Sequence, residues 1–542
     1  MSMSSADAGG PSAPLGREGP VPGRRRRLGA LRRWLASAAR RSPALARRHW
    51  LLTALLAAGL ALRILAQIAY RPSLLFIDST KYLLGAYPGN DPPGYGFALK
   101  PVLLVGNLDL VPAVQHLLGL AMAVTIYALL LRRGAPGWLS ALATVPVLFD
   151  GYQLQIEQTV MPDVMFEVLI VAGLALLLWR PRPAPWMIVA GGLALGASAT
   201  ARQVGEILIL PAAVYICLTF AGWRSRVRQT ALLAGAFALP ILFASFTNYV
   251  SIHRFSLAPY ASGTIYGRMA GAADCQTLKL PSYERPLCPT AQQKKLGPDG
   301  LDHQAGSPIK AFQPPLGMST PAVVRDFWHR VLLQQPLNVA EGIYRDTVKL
   351  FALTRDGHPG DTPISRWQFQ PDYPLYPPYT AVESGILVFG TYTPDGVERT
   401  LGTGQQFGGA NPVVVKPLAT FLRGYQLRGG YTPGPLFTLT ALAGLAGSVA
   451  ALRRRVTPGQ YAARACLLLL TAGAAVLLAS DVFEFSWRYQ LPALVTLPPA
   501  AALALTAALR RSRARPGEAA PPAQAGEAGR PGEHTRDRAA AG

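Results

Sequence analysis

Trp50–Leu84 reads WLLTALLAAGLALRILAQIAYRPSLLFIDSTKYLL, and its first part, Trp50–Tyr70, carries a single charge, Arg63. About 20 such residues cross roughly 30 Å of hydrocarbon as a helix, so this run reads as a membrane span. A long Arg/Pro/Gly/Ser tail precedes it and it lacks a small-residue cleavage site, so it is expected to be retained rather than removed as a leader. Nine further apolar runs follow, near Leu110–Leu131, Trp138–Phe149, Val164–Trp179, Pro185–Ala199, Ile207–Ala221, Gln229–Val250, Gly434–Leu452, Ala465–Ser480 and Tyr489–Leu509. The chain as a whole agrees: of 542 residues 50% are hydrophobic and 15% charged, with a mean hydropathy of +0.23. That composition excludes a disordered chain and speaks against an ordinary soluble domain. The expected fold class is an all-α polytopic membrane protein of about ten transmembrane helices, with a large mixed external loop between spans 7 and 8.

A net charge of +23 suggests a nucleic-acid binder until its distribution is read. Arginines cluster in alternate connections: the first 49 residues, Arg132–Arg133, Arg180 with Arg182, Arg224/Arg226/Arg228, Arg453–Arg455 with Arg464, and the tail from Arg510. These six segments hold 29 basic and 6 acidic residues, which is the entire excess; the remainder holds 23 of each. By the positive-inside rule they are cytoplasmic, which places both termini inside. No surplus charge is left for a nucleic-acid partner. Arginine outnumbers lysine 44 to 8, and with 53 Gly and 48 Pro this composition suits a GC-rich bacterial genome, hence a bacterial plasma membrane.

The expected organisation is a disordered basic tail (1–49), a transmembrane catalytic core (50–250) with a first external loop (71–109), an external loop domain (251–433), C-terminal transmembrane helices (434–509) and a disordered cytoplasmic tail (510–542). Within the external domain, apolar residues recur at helical spacing in Pro321–Gln334 (Val323, Val324, Phe327, Val331) and Pro336–Leu353 (Val339, Ile343, Val348, Phe351). Those helices either lie over the membrane portal or fold into a small domain. Cys275 and Cys288 lie 13 apart in this domain, where an oxidising compartment favours a disulfide. Cys217 and Cys466 fall within spans and read as inert packing residues.

Ionisable residues gather at the external ends of the spans. Asp78 follows the first span by eight residues, between Phe76–Ile77 and Tyr82–Leu83, where a carboxylate is costly unless hydrogen-bonded or put to use; a solvated loop aspartate is the other reading. The second external connection, Asp150–Glu167, holds Glu157, Asp163 and Glu167 and no basic residue. Asp163 follows Pro162 and reads equally as a carboxylate favouring the positive end of a helix. Glu167 lies one turn further on the same face, inside the apolar run, so it must face the bundle interior. Arg63, Arg202 and Arg488 lie on the external side; arginine's fork matches phosphate oxygens in pairs, and snorkelling to the interface is the alternative for each. His116 lies in a span and reads as a hydrogen-bonded structural histidine.

At these residues the chain resembles the GT-C superfamily of polytopic glycosyltransferases, which includes protein O-mannosyltransferases and the bacterial aminoarabinose transferase that modifies lipid A. The features that carry the resemblance are Ile77-Asp78-Ser79 with Tyr82 in the first external loop, Glu157 with Met161-Pro162-Asp163 entering the fourth span, external Arg202, and Arg488-Tyr489-Gln490-Leu491-Pro492. The chain departs from the family in having one Asp rather than an Asp-Glu pair in the first loop, and in placing its large loop before the last spans. The resemblance implies an inverting transfer from a polyprenyl-phosphate-linked sugar to an acceptor hydroxyl on a glycan, lipid or protein, at the external face, with or without a divalent cation. Asp78 would be the general base, Arg202 and Arg488 would neutralise the departing phosphate, and Asp163 with Glu157 would position acceptor, sugar or cation. Tyr82, Lys100, Glu167 and Tyr489 are expected to line the substrate-binding surface.

No Cys/His zinc spacing, Gly-rich nucleotide loop or Ser/His/Asp order is visible, so a soluble nucleotide-sugar donor has no recognisable binding loop. A secondary transporter also combines about ten spans with buried charge, but the charges here cluster at external ends rather than the midplane and no inverted repeat appears. An envelope glycan ligase or an assembly factor are the remaining readings.

Overall fold

The computed structural model describes residues 47–85, 91–259, 262–376, 380–383, 386–392, 398–403, 412–452 and 458–513. Almost all of both terminal tails therefore lies outside the described residues. Among those described, five helices are long and apolar enough to cross a membrane: Trp50–Ala69, Leu110–Arg132, Trp223–Ile252, Tyr461–Asp481 and Trp487–Leu509. The other apolar runs also fall on helical chain, but in shorter pieces. Asp163–Leu178 and Pro185–Ala201 are single helices. Trp138–Phe149 is instead split into Gly137–Leu142 and Val145–Phe149; Pro146 lacks the N–H that a continuous helix would donate to Leu142. Ile207–Ala221 likewise begins as a 3-10 turn, Gln203–Leu208, before the α-helix Ile209–Thr219. The stretch 71–109, expected to be the first external loop, is less loop-like than that, since it carries the helices Ser79–Leu84 and Gly94–Val105. The second starts after Pro92-Pro93 and contains Pro101, which hide it from a sequence reading.

Lipid tails are as apolar as leucine, so helices in a membrane gain little by hiding apolar surface from one another and depend on close backbone packing. Gly192 and Gly196, one turn apart on Pro185–Ala201, supply it against Trp223–Ile252. A Cβ on Gly196 would stand 2.1 Å from the Phe237 carbonyl oxygen, and one on Gly192 2.8 Å from that of Leu233. The main core gathers side chains from Leu110–Arg132, Asp163–Leu178 and Pro185–Ala201 with those of the two C-terminal spans, among them Ile126, Phe166, Ile170, Leu195, Leu469 and Leu503.

The long segment after Trp223–Ile252, the one expected from sequence to be external, has a core of its own, built from Tyr266, Met269, Leu287, Leu301, Phe327 and Val331. The helix Thr320–Gln334 buries Val323, Val324, Phe327 and Val331, the stripe expected from its periodicity. In Pro336–Lys349 Val339 is buried but Val348 is exposed, because Asp346 occupies the inward face and pairs with Arg268. Cys275 and Cys288 are joined by a disulfide; Cys466 is buried, whereas Cys217 is exposed rather than packed. Three antiparallel strands, Thr380–Glu383, Ile386–Tyr392 and Glu398–Thr403, complete the segment in the order given.

This segment is pinned to the helices by buried polar contacts. Arg355 donates to both oxygens of Asp150, at 3.1 and 2.7 Å, and the Thr432 N–H donates to the same carboxylate at 2.8 Å. Trp487 Nε1 donates to the Asp356 carbonyl at 3.0 Å and Thr347 Oγ1 to Asp481 at 2.8 Å. The short strand Tyr70–Arg71 pairs antiparallel with Val413–Val414.

Candidate active site

Three loops are drawn together where the helices meet the external segment. The first is strapped to the second external connection by its backbone: Leu74 N–H donates to the Gln158 carbonyl at 2.9 Å, and Val160 N–H to that of Leu74 at 3.0 Å. Ser79 Oγ then accepts from Phe76 N–H and donates to the Val160 carbonyl. These bonds set Asp78, at the start of Ser79–Leu84, beside Asp163 at the start of Asp163–Leu178. The third loop is the 3-10 turn Trp487–Gln490, which delivers Arg488.

Arg488 is the hub. Its Nη1 lies 3.7 Å from Asp78 Oδ2 and its Nε 3.5 Å from Asp163 Oδ1, while Nη2 donates to the Tyr489 hydroxyl at 3.1 Å. Arg202, at the end of Pro185–Ala201, bonds the same Asp163 oxygen. Both guanidinium groups lie over the Tyr489 ring, at 4.2 Å for Arg202 and 4.7 Å for Arg488, and Arg488 also lies 4.7 Å from the Trp367 ring. Asp163 thus makes no side-chain helix cap and instead gathers two arginines. The Tyr489 hydroxyl in turn donates to Glu484 at 3.0 Å.

Lys81 stands on the other side of Asp78, its Nζ 3.0 Å from that carboxylate and 3.1 Å from Asp91. Burial opposes ionisation of Asp78, but the charges of Lys81 and Arg488 outweigh it and hold the carboxyl below its ordinary value. Glu484 moves the opposite way: burial, with Asp299 close by, pushes it up to about 7. His303 is raised to about 9, chiefly by its hydrogen bond to Asp299.

A cavity of about 390 Å³ is lined on the side of the spans by Asp78, Lys81, Tyr82, Arg202, Arg488 and Tyr489, whereas Asp163, buried against the two arginines, is not among its lining residues. The remaining wall comes from the segment between Trp223–Ile252 and Lys416–Leu427: Thr264, Asp299, His303, Thr362, Arg366 and Trp367. A second cavity of about 400 Å³ shares Lys81, Tyr82, Asp91 and Pro92 with the first and continues between Leu83, Leu84, Phe97, Leu103 and Asn248. Around it Leu104, Val105, Phe243 and Tyr249 are exposed, as lipid-facing side chains are.

Not every residue named from sequence arrives at this place. Lys100 lines the second cavity alone. Glu157 lines neither. It is fully buried in the bundle, 2.8 Å from Arg63 Nη2 and 2.9 Å from His116 Nδ1. Arg63 therefore neutralises an internal carboxylate instead of reaching the interface, and His116 is the hydrogen-bonded histidine expected. Glu167 is also internal and accepts from Gln153 at 2.8 Å. Sequence reasoning did not single out Lys81, Asp91, Glu484 or the external wall. Glu484 could have been found, since it lies four residues before Arg488 between two apolar runs. Asp299 and His303 share one helix face at i and i+4, but nothing local says which face turns toward the membrane.

No protein-family model matches the chain, and no curated protein matches it. A solved structure of the S. cerevisiae protein O-mannosyltransferase Pmt1-Pmt2 complex bound to the sugar donor is similar over 42% of this chain and 37% of that one, at 14% identity and a TM-score of 0.30. This chain therefore spans little more than a third of that one's length, and a superposition of that quality fixes neither family nor fold.

Proposed function

We propose that the protein is a membrane glycosyltransferase that moves a sugar from a lipid-linked phosphate to an acceptor hydroxyl at the external face. The observation that carries this reading is the convergence of Arg202 and Arg488 on one oxygen of Asp163, with Asp78 on the opposite flank of Arg488. Two guanidinium forks at one point suit a phosphate, and a carboxylate beside them suits a base. The adjoining cavity, lined in part by Leu83, Leu84, Phe97, Leu99 and Leu103, would take the lipid tail, so that the phosphate sits where lipid and water-filled space meet.

In this mechanism Asp78 takes the proton of the acceptor hydroxyl as its oxygen bonds the anomeric carbon. The bond from that carbon to the phosphate oxygen breaks on the opposite face, so the configuration inverts, and the electron pair leaves with the polyprenyl phosphate. Arg202 and Arg488 stabilise the charge that grows on that phosphate. A base works while ionised, and the cations around Asp78 keep it so through the neutral range. Asp163 orients the two arginines. Tyr82 and Tyr489 shape the donor cleft. The internal Arg63–Glu157–His116 group and Glu167 serve the bundle rather than the reaction.

The test is to incubate membranes with and without the protein with radiolabelled polyprenyl-phosphate sugars and follow label leaving the lipid. Protein-dependent release to an acceptor is expected. Label that crosses into vesicles still attached to its lipid or as free sugar would favour a transporter.

A further inference from the structure

The external wall of the cavity is polar in a particular way. Asp299 and His303 lie one turn apart in Gly297–His303, with His303 Nδ1 3.2 Å from Asp299 Oδ1, and Arg366 Nη1 approaches Asp299 Oδ2 at 3.6 Å. One carboxylate is thus flanked on each oxygen by a cation, and two contacts use only part of its capacity of about four hydrogen bonds. Thr362 and Trp367 line the same cavity, on residues 5% and 3% exposed, and their buried Oγ1 and Nε1 atoms have no hydrogen-bond partner among the described residues. Buried polar atoms of native proteins are nearly always satisfied, so two unsatisfied ones on residues that line one cavity point to a ligand there whose arrival lets them turn and pair.

The donor and acceptor pattern identifies that ligand. Arg366, His303 and Trp367 donate, Asp299 accepts, and Thr362 does both. A phosphate would be repelled by Asp299, and an apolar chain would leave all five unpaired. A polyhydroxylated ring, whose every hydroxyl both donates and accepts, matches the set. The wall also faces Asp78: the charges of His303 and Asp299 act on each other and on the Asp78 carboxyl. A sugar whose phosphate rests on Arg202 and Arg488 and whose anomeric carbon meets an acceptor at Asp78 would turn its hydroxyls to this wall.

We propose that Asp299, Thr362, Arg366 and His303 of the external segment read the hydroxyls of the transferred sugar and set which sugar is accepted. This rests on the glycosyltransferase reading, and the two are separable by experiment. Binding is measured on the full-length protein in lipid nanodiscs with farnesyl phosphate and with farnesyl phosphates bearing glucose, galactose, mannose or arabinose. Farnesyl phosphate should bind, and Arg488→Lys should weaken it; failure here would sink the phosphate site and with it the donor assignment. At least one sugar-bearing probe should bind more tightly than farnesyl phosphate. In Asp299→Asn and in the nearly isosteric Thr362→Val that gain should fall about tenfold or more, because a buried partner is left unpaired, while farnesyl phosphate stays within about twofold. The proposal is overturned if both variants retain the full gain, if farnesyl phosphate binding falls as much as sugar binding, or if no sugar-bearing probe exceeds farnesyl phosphate.

Discussion

Lys81→Met should move the acid limb of the transfer reaction toward neutral pH. Lys81 Nζ lies 3.0 Å from Asp78, and the two side chains are 26% and 23% exposed. At that distance two unit charges attract by roughly 5 kcal/mol at an effective dielectric of 20. Partial solvent access and the second partner, Asp91, reduce the net worth of the pair to about 1 kcal/mol. Since 1.36 kcal/mol corresponds to one pH unit, removing the charge should raise the Asp78 titration by about half to one unit. The sign follows from the chemistry: the base is active when ionised, its carboxyl is held low, and activity is lost as pH falls through that value, so losing a cation shifts the loss upward. The assay is the pH dependence of kcat/KM between about pH 3 and 7 with a lipid-phosphate sugar donor. Lys81→Arg keeps a cation and should leave the limb in place. An unshifted limb in active Lys81→Met would refute the assignment of Asp78 as the titrating base.

Three further outcomes test the frame that carries the site. Gly196→Leu should abolish stable packing of Pro185–Ala201 on Trp223–Ile252, since even a Cβ meets the Phe237 carbonyl at 2.1 Å; thermal unfolding in detergent should show the loss, whereas Gly235→Leu, where a Cβ meets nothing within 4 Å, should be mild. Arg355→Met leaves the Asp150 carboxylate buried without its cation, which typically costs about 3–5 kcal/mol, so limited proteolysis should cut the external segment faster. Cys275 and Cys288 are bridged; if they lie on the external side, as the arginine pattern predicts, an impermeant reductant followed by an impermeant thiol reagent should label intact cells carrying the wild type and not the Cys275→Ala/Cys288→Ala pair. Labelling only after the inner face is opened would invert the topology.

The apolar runs made the helical character legible, because spans of about 20 residues leave little else that backbone in lipid can do. Breaks at Pro146 and before Ile209 were less so, since a proline inside a bundle can be accommodated or can end the helix depending on neighbours that sequence does not name. Asp78, Asp163, Arg202 and Arg488 were legible as residue types at one depth, and they do meet. Glu157 shared the depth and the chemistry, yet it was claimed by Arg63 through a contact between residues 94 apart, which no local pattern encodes. The wall of Asp299, Thr362 and Arg366 was invisible for the same reason: Asp299 lies more than 60 residues before the other two, and their place beside Asp78 depends on how a whole segment docks through Arg355 and Thr347.

The most direct measurement is the single-turnover rate of sugar transfer by purified Asp78→Asn protein, with donor affinity determined on the same preparation. The substitution is nearly isosteric but cannot take a proton. The rate should fall by about 10²–10⁴ while the lipid-phosphate donor binds within a few-fold of wild type. An unchanged rate in a well-folded variant would contradict the account and return the role of base to another carboxylate beside Arg488, Asp163 first.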